Sequence, residues 1–206
     1  MDKVDMIQGI IQSEFRMFNE VQNIGGRASC QDDYSTFFGI RFSQLISWDS
    51  HTIESYSNDV QNAIKNGDNL LERKYAYMMQ FTEPEYYANQ LAPYLPVISD
   101  EKKKIVNEIS GIYQSWYGVL KENYPLFVSR GRPESDKKNG MTSFITYLKG
   151  ELFTYSKETL KHFLSMVNNA VKNKDNLLAI TYNATARFYG YNDLDDAERE
   201  LRNNRA

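Results

Sequence analysis

Apolar residues recur at three- and four-residue spacing along most of the chain. Residues 4–22 place Ile7, Ile10, Ile11, Phe15, Phe18 and Val21 on one face, which predicts an amphipathic helix. Asn23-Ile24-Gly25-Gly26 ends it, because glycine takes the left-handed conformation used at helix ends. Further helices are expected over 34–48 with Asp32 or Asp33 as N-cap, over 51–66 capped by Ser50, and over 69–81 capped by Asp68. Thr82-Glu83-Pro84 starts the chain again, Pro93 and Pro96 break it, and Ser99 opens a long helix to about Asn123. LFVSRGRPESDKKNGM, residues 126–141, reads as a linker. Helices resume over 143–154, 157–172 and 176–189, and Asp193 opens a short polar one to about Arg202. Alternating apolar runs bounded by turns are missing, so the expected fold class is all-α, a helical bundle.

The helical pattern repeats. VQNAIKNGDNLL at 60–71 and VNNAVKNKDNLL at 167–178 agree at nine of twelve positions, at an offset of 107. Over 34–75 and 141–182 the ungapped alignment holds 13 identities, and apolar positions agree where identity fails, as at Ile53 and Leu160. Phe37 falls on Phe144, Leu45 on Leu152, Trp48 on Tyr155 and Tyr56 on Phe163. Such self-similarity is the sign of an internal duplication. A three-helix unit that cannot bury its apolar face alone buries it against its twin. The halves, about 34–80 and 141–187, are therefore expected to pack about a pseudo-two-fold axis in a single domain over 1–206.

Composition narrows the function classes. A 206-residue chain that is 41% hydrophobic and 25% charged can bury a real core. The net charge of -3 gives no general attraction to nucleic acid or an anionic membrane, so neither is expected as a partner. Lys102-Lys103-Lys104 reads as a solvated helix face. One cysteine, Cys30, excludes a disulfide framework and suits a reducing cytoplasm. No basic segment leading into an apolar stretch opens the chain, and no apolar run is long enough to span a bilayer.

Candidate chemistry concentrates in FNEVQNIGGRASCQDD, residues 18–33. Glycine pairs let a backbone approach a ligand closely. The start of the next helix offers free N–H groups that suit an anion. Arg27 can grip a carboxylate or phosphate through two nitrogens. Cys30 near that helix start is a candidate nucleophile, and Asp32 and Asp33 are candidate general bases. Gln22, Asn23, Gln31, Arg41 and Trp48, with Arg130 and Arg132 of a later loop, complete the candidate substrate-binding set. Each has a plainer reading: the glycines as a helix stop, an aspartate as a cap, the cysteine as a small apolar residue. Glu14 and Glu20 with Asp32 and Asp33 have the oxygen ligands Mg²⁺ prefers, but their spacing does not require it, and no metal is assigned. His51 and His162 fall at unrelated positions of the repeat and support no zinc or di-iron site. P-loop, dinucleotide-binding, G-x-S-x-G and kinase signatures are missing, so the sequence assigns no cofactor.

This block, with TF-x-x-x-R-x-SQ-x-x-SW running on to Trp48, resembles the signature of an uncharacterised bacterial family, domain of unknown function 4125. GRP at 131–133, TSF at 142–144, YLKGEL at 147–152, TYS at 154–156 and YGY at 189–191 resemble its second block. The resemblance implies no reaction, cofactor or catalytic residue. It gives weight to Glu14, Asn19, Gln22, Asn23, Gly25, Gly26, Arg27, Cys30, Gln31, Asp32, Asp33, Arg41, Gln44 and Trp48 as positions matching the motif. It also implies a possible protein partner, since a nucleotidyltransferase-like domain is linked to the family in some relatives. Tyr34 departs from the pattern, which has tryptophan there, and Phe38-Gly39 stand where bulkier residues are expected.

A second glycine/arginine loop, Ser129-Arg130-Gly131-Arg132-Pro133, falls at nearly the equivalent place in the second copy. Both loops are expected at the seam, with Arg27, Arg130 and Arg132 as a cationic floor. Glu151 overlays Gln44, so the seam can carry a carboxylate and an amide in related positions. Two readings follow. One is a cytoplasmic enzyme acting on a small carboxylate or amino-acid-like anion at the Gly25–Asp33 loop. The other is a non-catalytic module that docks a protein through an aromatic surface including Tyr86, Tyr87 and Tyr94.

Overall fold

The structure, a computed structural model, describes residues 2–22, 26–136 and 141–204. Among these residues every regular element is helical and no strand forms. Helix α1 spans Lys3–Glu20, and a 3-10 turn, Ser29–Asp32, leads into α2, Tyr34–Leu45. Helices α3, Ser50–Lys65, and α4, Leu70–Thr82, follow. Short turns at Pro84–Tyr86 (α5), Tyr87–Leu91 and Ala92–Tyr94 lead to α6, Asp100–Asn123. Then come α7, Pro125–Val128, α8, Phe144–Leu152, α9, Lys157–Asn173, α10, Leu177–Phe188, and α11, Leu194–Asn203.

The caps explain the boundaries and correct two expectations. Asp49, not Ser50, caps α3 by accepting from the Thr52 N–H. Asn69, not Asp68, caps α4, its side-chain Oδ1 accepting from the N–H groups of Leu71 and Glu72. Asp68 instead pairs with Arg73 at 2.6 Å. One residue nearer the helix is where a short side chain reaches the free amides. The expected linker is partly ordered: Pro125 begins α7, and Glu198 of α11 accepts from the N–H groups of Leu126 and Phe127. Ser99, Ser156 and Asp193 cap α6, α9 and α11.

Helix α1 packs on α2, α3 and α4, and α6 packs on α8, α9 and α10. Between these groups α3 lies against α9, α2 against α10, and α4 against α8. A glycine sits at both of the last two crossings. A Cβ on Gly39 would fall 2.2 Å from the Phe188 ring, and one on Gly150 would fall 2.4 Å from Met78 and 2.9 Å from the Lys74 carbonyl. The small residue at position 39 therefore admits the ring of α10.

The contacts across the middle come in pairs related by the offset of 107. The Asp49 N–H meets Met166 Sδ at 3.1 Å, and the Ser156 N–H donates to Asp59 Oδ2 at 2.9 Å. Trp48 packs edge-on to Phe163 with centroids 4.9 Å apart, and Tyr155 packs on Tyr56 at 4.7 Å. One connected apolar cluster runs from Ile7 to Leu201 and includes these rings. Among the described residues no helix is long and apolar enough to cross a membrane.

Candidate functional site

The loop after α1 holds itself together. Gln31 is buried; its Nε2 donates to the carbonyls of Phe18 (2.7 Å) and Val21 (3.1 Å), and its Oε1 accepts from the Ala28 N–H at 2.9 Å. It staples the turn to the end of α1. Arg27 donates through Nε and Nη2 to Asp32 Oδ1, at 3.0 and 2.8 Å, and through Nη2 to Asn19 Oδ1 at 2.8 Å. Both partners of this ion pair are largely exposed, with side chains 49% and 68% accessible. Asp33 caps α2 by accepting from the Thr36 N–H, and the Thr36 side chain first, then that N–H, hold its carboxyl below the usual range. Gln22 is exposed and donates to the Glu20 carbonyl, and the Cys30 thiol is free and exposed. Asn23 and Gly25 lie outside the described residues. The candidate bases are thus engaged, Asp33 as a cap and Asp32 with Arg27.

Arg41 and Trp48 are elsewhere. Trp48 lies in the core among Tyr56, Tyr155 and Phe163. Arg41, expected to anchor a substrate anion, is buried and held by protein carboxylates. Its Nε and Nη2 take the two Glu14 oxygens at 2.7 Å each, and Nη1 takes Glu151 Oε1 at 2.6 Å and Gln44 Oε1 at 2.8 Å. Carboxylate and amide at the overlaid positions 151 and 44 therefore share one guanidinium nitrogen. Lys74 Nζ donates to Glu151 Oε2 at 2.8 Å. The Tyr56 and Tyr155 hydroxyls donate to Glu14 and Glu151, at 2.5 and 2.7 Å.

Helices α1, α2, α3, α4 and α8 thus meet in two carboxylates and two cations that balance. Burial alone would raise the Glu151 carboxyl, but Arg41 and Lys74 outweigh it and hold it far below the ordinary range. Burial would lower Arg41, but Glu14 and Glu151 keep it charged. Beside them a cavity of about 10 Å³, lined by Glu14, Tyr56, Lys74, Glu151 and Thr154, has room for one water. Glu14 is therefore part of a protein clasp. Among the described residues no group of three or more His, Cys, Asp or Glu side chains could hold a metal ion.

The network continues outward to Tyr147 on α8. Lys74 Nζ lies 3.6 Å from the centroid of its ring, and the Arg132 guanidinium carbon lies 3.7 Å from it. Burial raises the Tyr147 hydroxyl, but the charges of Lys74 and Arg132 outweigh burial and bring it below the usual tyrosine value. Tyr75 of α4 lies beside that hydroxyl; burial first, and then Tyr147, push Tyr75 upward, and Cys30 adds to the rise. Tyr147, Tyr75 and Arg132 are half-buried, and Arg130 is exposed. Of the expected cationic floor, Arg132 faces Tyr147 and Arg27 faces Asp32.

Sequence reading missed Tyr75 and Lys74, which lie on an ordinary-looking amphipathic helix, and gave no role to Tyr147, although YLKGEL contains it. His51 and His162, which do not overlay in the sequence alignment, stack with ring centroids 6.3 Å apart. A groove of about 280 Å³ between the end of α6 and α11 is lined by other residues, including Tyr124, Asp195 and Arg199.

Residues 4–199 match the model of a family described as "Protein of unknown function (DUF4125)". No curated protein and no solved structure matches the chain.

Proposed function

Since the chain belongs to the family of unknown function DUF4125, we propose its function from the geometry: it binds a small oxyanion where the two sequence blocks meet, at Arg132, Tyr147 and Tyr75 beside Cys30. One observation carries this reading. Glu14 and Glu151 balance Arg41 and Lys74, whereas among the described residues no carboxylate lies within ion-pair range of Arg132. A half-buried guanidinium stacked on a tyrosine, with a second hydroxyl beside it and no acid of its own, is built like a receptor for a carboxylate or phosphate group. A tyrosine perturbed by two cations marks the same place. In this reading the Gly25–Asp33 loop supports the site, Cys30 lines it, and Asp32 and Asp33 perform no catalysis.

The frame is a duplicated helical unit whose halves clasp about a pseudo-two-fold axis. The reciprocal contacts of Asp49 with Met166 and Ser156 with Asp59 support it. The halves differ where the chemistry lies: Lys74 overlays Thr181, and Arg41 overlays Leu148. Duplication would leave one equipped site. A cytoplasmic setting suits the exposed, unpaired Cys30.

Calorimetric titration with sulfate and with acetate tests the reading. Wild-type protein and the Arg27→Gln variant bind one of these anions saturably, and Arg132→Gln does not. Equal binding by Arg132→Gln contradicts it.

A second reading rests on the 84–97 segment, where Tyr94 is 87% and Val97 96% exposed. It is a docking edge for a protein partner such as a nucleotidyltransferase-like protein. Tyr94→Ser with Val97→Ser would then abolish that complex while leaving the melting temperature and anion binding unchanged.

A further inference from the structure

This inference rests on the anion-binding reading and specifies its proton chemistry. Tyr147 is faced by Lys74 and Tyr75 from α4, by Arg132 from the segment before α8, and by Glu151 one turn along its own helix; Cys30 acts on it through Tyr75. Lys74 is bound to Glu151, and Glu151 is also held by Arg41 and Tyr155. Removing that balanced group leaves one positive charge, Arg132, against two phenols. We propose that a bound oxyanion and the Tyr147 phenolate are alternative counter-charges for Arg132, so that ligand binding and deprotonation of Tyr147 exclude each other.

In the occupied site the neutral Tyr147 hydroxyl donates a hydrogen bond to the ligand oxygen while Arg132 neutralises its charge. In the empty site at alkaline pH the phenolate takes the place of the anion. Tyr75, pushed upward by burial and by Tyr147, stays protonated in both states and donates. The depressed titration of Tyr147 agrees with this arrangement. Above the Tyr147 midpoint the site therefore takes its ligand together with one proton, and it selects small carboxylates or phosphate-type anions that can accept a hydrogen bond.

Sulfate binding measured by calorimetry between about pH 8 and about pH 10, in two buffers of different ionisation enthalpy, tests this, because sulfate does not titrate there. The expected result is uptake approaching one proton per sulfate, with affinity falling about tenfold per pH unit above the Tyr147 midpoint. Tyr147→Phe keeps the ring against Arg132, so it still binds, more weakly and with no such pH dependence. Parallel titrations with acetate and phosphate separate a carboxylate ligand from a phosphate-type one. Binding by the wild type without proton uptake, or an unchanged pH slope in Tyr147→Phe, overturns the inference and leaves the anion site standing. Failure of the wild type to bind any of the three anions overturns both.

Discussion

Trp48 and Tyr155, overlaid by the offset of 107, meet edge to face with ring centroids 6.0 Å apart. Each also packs on the ring that the other's copy contributes, Trp48 on Phe163 and Tyr155 on Tyr56. Such reciprocal pairing is what the proposed pseudo-two-fold packing calls for. The four rings form the centre on which the charged clasp rests, since two of them, Tyr56 and Tyr155, hold its carboxylates.

Truncating that centre is expected to be severe. Trp48→Ala should cost about 3–5 kcal/mol, the range for a large buried aromatic. Tyr155→Phe keeps the ring and removes one bond to Glu151, for about 1–2 kcal/mol. Denaturant unfolding measures both. A Trp48→Ala variant of near wild-type stability would remove Trp48 from the core and return it to a binding role.

Glu151→Gln leaves Arg41 and Lys74 short of a buried counter-charge and should cost about 3–5 kcal/mol. Its pH signature is specific. The folded Glu151 carboxyl lies below its ordinary value of 4.5, so its contribution is complete above that value and is lost as pH falls below it, where the unfolded chain takes up the proton first. Wild-type stability should therefore fall more steeply in acid than that of Glu151→Gln. Parallel acid profiles would show that Glu151 is not held charged.

The first block divides into groups that carry the fold and groups that do not. Gln31→Leu removes the side-chain bonds to the carbonyls of Phe18 and Val21 and to the Ala28 N–H and should cost about 1–3 kcal/mol. Arg27→Gln breaks the exposed pair with Asp32 and the surface bonds to Asn19 and should leave the melting temperature close to wild type. A large loss from Arg27→Gln and none from Gln31→Leu would reverse these roles.

Much of the fold could be read from the chain because it rests on local rules. Helical periodicity located the main helices, and side chains able to cap located their starts within a residue or two. The errors at Ser50 and Asp68 arose where two neighbouring residues could each cap and only backbone geometry chose between them. The site was less legible. A motif groups residues by adjacency, but Arg41 and Trp48 turn inward from α2 and its following turn, while Asp32 and Asp33 turn to local partners. The Tyr147 cluster draws Lys74 and Tyr75 from α4, Tyr147 from α8 and Arg132 from the segment between α7 and α8, and no sequence spacing encodes that meeting. Gln44 and Glu151, overlaid in the sequence alignment, both meet Arg41 Nη1.

Cys30 offers a chemical probe of the same place. It is exposed and close enough to Tyr75 to influence its titration. Alkylation by anionic iodoacetate, relative to neutral iodoacetamide, should be favoured in the wild type and slowed by sulfate. Arg132→Gln should lower that ratio several-fold. An unchanged ratio would place Cys30 outside the field of Arg132.

A crystal of the wild-type protein soaked in selenate, a sulfate analogue visible by anomalous scattering, tests the anion site most directly. The account predicts an anomalous peak against the Arg132 guanidinium within hydrogen-bonding distance of the Tyr147 hydroxyl, missing in Arg132→Gln crystals. Selenate bound only at other surface cations, or at the same place without Arg132, would contradict it.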